Sequence, residues 1–308
     1  MTEITASLVK NLRAKSGAGM MDCKKALTEV DGDLEAAVDW LRRKGLAAAA
    51  KKSSRVAAEG LIGIATGGNS GVAVEVNSET DFVSLNQQFQ EFVKTVSQLG
   101  LANDGDLKAV MESGYPGSGN TVAEQLTHNI VTIGENMTVR RMAAVSVEKG
   151  LVVSYLHNKL TPELGKIGVL VALESDAGEE PLADLGRHLA MHIAATAPKA
   201  LNQEDLDPAL VKRERAILVE QARESGKPEE IIQKMIEGRM RKFYQEVVLL
   251  SQTSVIDGET KIAGVIANAA KQAGTGITLK AYLRFELGEG IEKKKDDFAA
   301  EVKAAAGL

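Results

Sequence analysis

Gly60-Leu61-Ile62 and Gly71-Val72-Ala73-Val74-Glu75-Val76 return later in the chain as Gly150-Leu151-Val152 and Gly168-Val169-Leu170-Val171-Ala172-Leu173. In the first copy, Leu61, Ile62 and Ile64 lead into Thr66-Gly67-Gly68-Asn69-Ser70-Gly71, a cluster of turn formers, and Val72, Val74 and Val76 alternate on the way back. Period-two alternation on either side of such a turn predicts an antiparallel hairpin. Its recurrence predicts an internal duplication, and therefore two pseudo-equivalent lobes with a combined binding surface. The fold class is α+β, because helical patterns follow each hairpin: Ser84 with Gln87 reads as a capping box before Phe89, Phe92, Val93 and Val96, and Thr121 with Glu124 reads as a second one before Val122, Leu126, Ile130 and Ile133. Gly114 to Asn120 between them reads as a loop. The second copy has a longer hairpin loop, Leu156 to Lys166, and a following helix that carries His188 and His192.

Outward from this core, residues 1–52 predict a small module of three helices. Ile4, Leu8, Val9 and Leu12 share one face up to Gly17, Met21, Cys23, Ala26 and Leu27 carry the second helix, and Asp33 caps a third through Leu34, Ala37, Val38 and Leu41 with Gly45 as its stop. Ala47 to Ser54 reads as a connector, helical or flexible. Asp207 before Pro208 opens another helix through Val211, Ile217, Leu218 and Ala222, Ser225-Gly226-Lys227-Pro228 reverses the chain, and Ile231, Ile232, Met235, Ile236, Met240 and Phe243 run back. This predicts a projecting antiparallel helical hairpin inserted at about 205–248. Ile277 to Phe285 alternates like a strand, and the charged stretch from Glu289 to Asp297 passes into a short terminal helix. The expected division is 1–52, a first core lobe at 53–148, a second at 149–285, and a C-terminal module at 286–308.

Composition excludes several function classes. With 44% hydrophobic and 26% charged residues in 308, the chain has ordinary globular material for two or three domains. One cysteine, Cys23, excludes an intramolecular disulfide and a thiolate metal cluster, and favours the cytoplasm. No run of about 18 apolar residues and no basic-then-apolar leader occurs, so neither membrane nor secretion is expected. The net charge of -5 disfavours nucleic acid as a partner.

Catalytic patterns are missing too. The Gly-Lys pair at 226 and 227 is followed by proline and not by Ser or Thr, so no phosphate-binding loop forms there, and Gly67 to Gly71 lies in a hairpin. His188 and His192 share a helix face, but Leu189 stands where a zinc protease carries its general base, and packing histidines are the better reading. Cys23 on an apolar face reads as packing. No enzyme activity, cofactor or metal site is expected. Basic runs such as Lys293 to Lys295 and Arg239 to Lys242 read as solvated faces.

What this leaves is Thr80-Asp81-Phe82-Val83, after a strand and before a capped helix, where binding residues tend to sit. Two readings stand on the residues alone: an exposed contact, or a local turn with Phe82 tucked under the helix.

Leu12-Arg13 with Ser16-Gly17-Ala18-Gly19-Met20-Met21-Asp22-Cys23-Lys24-Lys25-Ala26-Leu27 resembles the N-terminal signature of the translation elongation factor Ts family, with Ser16 where the family usually has threonine. Glu75 to Val83 resembles its second signature, and His188-Leu189-Ala190-Met191-His192, Ser225 to Pro228, Glu237 to Met240 and Arg284 to Glu292 are similar to further family motifs in the same order. The loops from Leu101 to Asn120 and from Leu156 to Lys166 match none.

The resemblance implies a guanine nucleotide exchange factor that binds elongation factor Tu with GDP and promotes GDP release. It also implies a ubiquitin-associated-like N-terminal module, a two-lobed core and self-association through the hairpin. By the same resemblance, Thr80, Asp81, Phe82 and Val83 displace Mg²⁺ from the partner's nucleotide site, and Leu12, Met20 and Met21 belong to the module that touches the partner. The rival readings are an adaptor that leaves the partner's nucleotide alone, and an RNA-binding protein that uses the basic runs.

Overall fold

A computed structural model describes residues 4–16, 18–224 and 228–292. Three helices open the chain: α1 (Ala6–Ser16), α2 (Met20–Glu29) and α3 (Leu34–Lys52). Leu12, Cys23, Ala26, Leu27 and Ala37 form their core. Asp33 caps α3 as expected, its carboxylate accepting from the amides of Glu35 and Ala36. Gly45 does not stop that helix. The alanine run after it favours helix, and the missing side chain at Gly45 lets Val131 approach to 3.4 Å of where a Cβ would stand. The expected stop at Gly17 lies outside the described residues.

The core follows as β1 (Glu59–Thr66), β2 (Ser70–Ser78), a 3₁₀ turn (Asp81–Leu85), α4 (Gln87–Ala102), α5 (Leu107–Glu112), α6 (Val122–Ile133) and β3 (Met137–Ser146). The second lobe contains β4 (Gly150–His157), β5 (Leu164–Gly165), β6 (Ile167–Ser175), α7 (Glu179–Thr196), α8 (Pro208–Arg223), α9 (Glu229–Val247), α10 (Ile262–Ala273) and β7 (Ile277–Glu286). All pairings are antiparallel, in a four-stranded sheet ordered β3-β2-β1-β5 and a three-stranded sheet ordered β4-β6-β7. The long loop of the second hairpin thus returns a short strand, β5, to the edge of the first sheet.

The sheets pack face to face through Ile62, Ile64, Ala73, Val152, Leu170, Ala172 and Phe285. Helices cover the two outer faces: Phe89, Phe92, Val93 and Val96 of α4 meet Leu61, Val74 and Val76, while Leu182, Leu185, Leu189 and Ile193 of α7 meet Val169, Val171 and Leu173. Because both faces of each sheet are covered, β2 and β6 are buried almost throughout. The interlock is reciprocal. A Cβ on Gly71 would collide with Val152 and one on Gly168 with Ile62, so each lobe leaves a notch for the other's side chain.

The duplication extends to backbone detail. The β-bulge between Glu75 and Val76 recurs between Ala172 and Leu173. Gly60 and Gly150, which open the two copies, have φ of 121° and 138°, and a Cβ at either would lie 2.1 or 2.0 Å from the carbonyl of Val76 or Leu173. Packing is complementary across the repeat: Gly63 on β1 makes room for Val93 of α4, whereas Gly186 on α7 makes room for Val153 of β4.

Several local expectations change. Ser84 caps nothing; its hydroxyl donates to the Gly60 carbonyl at 2.9 Å, and Asn86 caps α4 by accepting from the Phe89 amide. The turn Asp81–Leu85 therefore intervenes before the helix begins. Strand β3 and helix α5 carry no strong pattern in the sequence. Thr121 and Glu124 form the expected reciprocal box, and Asp207 caps α8 at the Ala209 amide. The hairpin α8–α9 has its own core of Leu218, Ala222, Ile232, Ile236 and Met240. Residues 225–227, part of the expected reversal, and residues 293–308, with the expected terminal helix, lie outside the described residues. No helix among the described residues is long and apolar enough to cross a membrane.

The opening glycines yield a prediction. Gly60→Ala or Gly150→Ala lowers the unfolding free energy by about 2–4 kcal/mol, since both φ and the facing carbonyl oppose a side chain. Gly68→Ala, at φ 68° with nothing nearby, costs about 1–2 kcal/mol. Urea midpoints of the three variants give the ranking.

Candidate functional site

Strand β2 leaves the sheet at Ser78, and the next seven residues are held from both ends. Ser78 Oγ donates to the Thr80 carbonyl at 2.9 Å. The Thr80 amide and hydroxyl both donate to the Glu135 carboxylate, at 2.9 and 2.6 Å. The Glu79 carboxylate in turn accepts from the Asn136 amide and sits 3.4 Å from the Arg55 guanidinium. At the far end Val83 is buried in the first lobe's core and Ser84 is tied to Gly60.

Between these anchors the 3₁₀ turn sorts its residues. Val83 and Ser84 point inward, while Asp81, Phe82 and Leu85 point outward, Phe82 with 78% and Leu85 with 66% of their surface exposed. Phe82 is thus not tucked under α4. An aromatic ring left in water on a pinned turn forgoes roughly 1.5–3 kcal/mol of burial, and the free chain offers it no cover of its own. Leu85 extends the same apolar patch; the sequence reading missed it because it treated Ser84 as the start of a helix.

Met20 and Met21 stand in the first turn of α2 with 60% and 75% of their surface exposed. Leu12 is a correction to the expected contact set, because it is fully buried between the three helices and its side chain faces the module's own core. In the second lobe the loop before α10 exposes Val255 and Ile256.

His188 and His192 face a segment of the chain and not a shared ion. His188 Nε2 hydrogen-bonds Ser254 Oγ at 2.7 Å. His192 accepts the Val255 amide at Nδ1, so its Nε2 carries the proton and donates to Gln252 Oε1 at 2.8 Å. Burial pushes the His192 pKa below the usual histidine value, the Gln252 contact offsetting part of that and His188 adding to it. Among the described residues no group of three or more His, Cys, Asp or Glu could hold a metal.

A buried charge joins the lobes. Glu75, fully buried on β2, accepts from Arg140 at 3.0 Å, from Arg141, from Asn77 at 3.0 Å and from the Gly288 amide at 2.8 Å. Arg141 also lies over the Phe285 ring at 4.3 Å, donates to the Glu286 carbonyl and pairs with Glu289. Burial alone would raise the Glu75 pKa, but the hydrogen bonds from Gly288, Asn77, Arg141 and Arg140 together hold it below the ordinary value of 4.5. Two of the motifs quoted above supply Glu75 and Gly288, but no sequence signal pointed to Arg140 and Arg141 or to the convergence of these groups, which is legible only when the partners are known.

The model of the family described as Elongation factor TS matches residues 79–289. Elongation factor Ts of Rhizorhabdus wittichii is 64% identical over 305 residues, covering 99% of each chain. That of Rhodospirillum centenum is 60% identical with all of both chains covered, and that of Zymomonas mobilis 56% identical over the same full extent. The class is therefore that of the translation elongation factors, built here as a two-lobed α+β scaffold that displays a pinned apolar turn. More narrowly, the chain belongs to the elongation factor Ts family.

The site generates two predictions. Phe82→Ala leaves the chain's own stability within about 0.5 kcal/mol, whereas Val83→Ala costs about 2 kcal/mol, as calorimetry of the free protein resolves. Glu75→Gln costs about 3 kcal/mol at neutral pH, because it removes the buried counter-charge on which two half-buried guanidinium groups and the Gly288 amide converge. A depressed carboxylate pKa contributes stability that is present above pH 4.5 and is lost as the pH falls through the folded value. The wild type and Glu75→Gln denaturation midpoints therefore converge on acidification.

Proposed function

We propose that the chain is a guanine nucleotide exchange factor for elongation factor Tu, acting in the cytoplasm, and that the turn carrying Thr80, Asp81, Phe82 and Val83 loosens Mg²⁺ and its supporting groups in the partner's nucleotide site. Family membership supports the exchange role. The observation that carries the finer reading is the exposure of Phe82 on a turn anchored at both ends.

GDP is held by backbone amides and by Mg²⁺, a hard cation whose bound waters are fixed by protein groups. A phenylalanine that wedges into an apolar gap beside the metal moves one of those groups, and the exposed Asp81 carboxylate competes for donors nearby. Val83 serves this from within, by fixing the turn to the core. Met20 and Met21 form a second contact on the N-terminal module, and the exposed Val255 and Ile256 offer a third from the other lobe. By linkage, a protein that binds the nucleotide-free partner more tightly than the loaded one weakens nucleotide binding by the same ratio. No bond is made or broken in this chain, so it needs no catalytic group of its own. The hairpin α8–α9 exposes Ile217 and Ile231 and serves self-association between copies.

Phe82→Ala slows catalysed release of fluorescent GDP by about ten- to hundredfold with the fold intact. With Mg²⁺ chelated, the Phe82→Ala and Asp81→Ala variants approach the wild type, because the clamp they loosen is already gone. Defects that persist undiminished without Mg²⁺ assign the turn to docking and overturn metal displacement. A GDP off-rate unchanged by the wild-type chain would make it an adaptor.

A further inference from the structure

From the clasp at the root of the turn we infer that Glu135 is a positioning residue for Phe82, setting the direction in which the ring is presented. This rests on the reading of Phe82 as the exchange contact. A 3₁₀ turn of five residues has too few internal hydrogen bonds to fix itself, so its orientation comes from its anchors.

Thr80 occupies the N-cap position but makes no capping bond with its side chain. Its hydroxyl and its amide are both given to the Glu135 carboxylate, a bidentate, charge-assisted pair that removes the rotational freedom of the residue two before Phe82. Glu135 is delivered to that spot by the preceding residue: Gly134 ends α6 in the left-handed conformation at φ 93°, and β3 begins three residues later. The clasp is reciprocal, since Glu79 accepts from the Asn136 amide while Thr80 donates to Glu135.

The same corner reaches the N-terminal module. Lys52, the last residue of α3, donates to the Gly134 carbonyl, and Asn136 Nδ2 donates to the Arg55 carbonyl at 2.7 Å. Residues 134–136 thus tie the turn that carries Phe82 to the end of the helix that follows Met20 and Met21. Glu135 itself is half-buried and faces Thr80, so its action on a partner passes through the turn.

The test is a double-mutant cycle of Glu135→Ala with Phe82→Ala in the full chain, read as the rate of GDP release from elongation factor Tu, together with hydrogen exchange of the Thr80 amide in the free protein. Glu135→Ala is expected to slow release by about tenfold, the loss typical of bonds to a charged group, and to lower the melting temperature by no more than several degrees. Glu135→Gln, which keeps one acceptor, recovers part of the rate. The double variant is expected to be no slower than Phe82→Ala alone, and the Thr80 amide to exchange faster in Glu135→Ala. Multiplying effects in the double variant would overturn the inference by giving Glu135 a contact of its own. Unchanged Thr80 exchange would overturn the clasp whatever Phe82 does. Accelerated Thr80 exchange with release unaffected by Phe82→Ala would instead overturn the exchange reading of Phe82, and with it the functional role of the clasp.

Discussion

One buried carboxylate, Glu75, sets the terms on which the two lobes meet. Apolar attraction between the sheets is favourable but has no direction of its own. A charge buried in that packing tolerates no such freedom, because the cost of desolvating it is met only when Arg140, Arg141, Asn77 and the Gly288 amide all converge on it. Since Gly288 follows the last strand of the second lobe, satisfying Glu75 fixes one lobe on the other. The notches at Gly71 and Gly168 then fix how closely they approach.

A rigid scaffold is what gives an exposed phenylalanine a use. On a free loop Phe82 would find apolar cover on its own surface, and ordering it against a partner would cost conformational entropy at the moment of binding. The clasp at Thr80 and the buried Val83 remove that freedom in advance, so the ring is held out between two residues that are both committed elsewhere. The turn begins at Asp81, three residues after β2 ends and five beyond Val76 and the bulge beside Glu75, which links the presentation of Phe82 to the joint between the lobes.

Much of this architecture was legible because its signals are local. The hairpin was written in the turn cluster from Thr66 to Gly71, the helix starts at Asp33, Thr121 and Asp207 in capping chemistry, and the duplication in recurring glycines whose backbone angles then proved nearly equal. The α+β class follows from these alone. What was hidden depends on contacts distant in sequence. Ser84 looked like a cap until Gly60 claimed its hydroxyl, and Gly45 looked like a stop until Val131 packed against it. Leu12 lay in a family motif and turned out to hold the module together. Glu75 and Glu135, which fix the lobes and the turn, sit 65 and 55 residues away from the partners that explain them. The resemblance singled out Thr80 to Val83, and it took the structure to divide them into the exposed Asp81 and Phe82 and the anchoring Thr80 and Val83.

The central claim is that a turn fixed in the free protein presents Phe82 to the nucleotide-binding partner. Side-chain footprinting of Phe82, in the free chain and in its complex with nucleotide-free elongation factor Tu, tests it most directly. The account predicts strong labelling of Phe82 and Leu85 in the free protein and protection of both in the complex, with Val83 unlabelled throughout. Phe82 that labels equally in both states would contradict it.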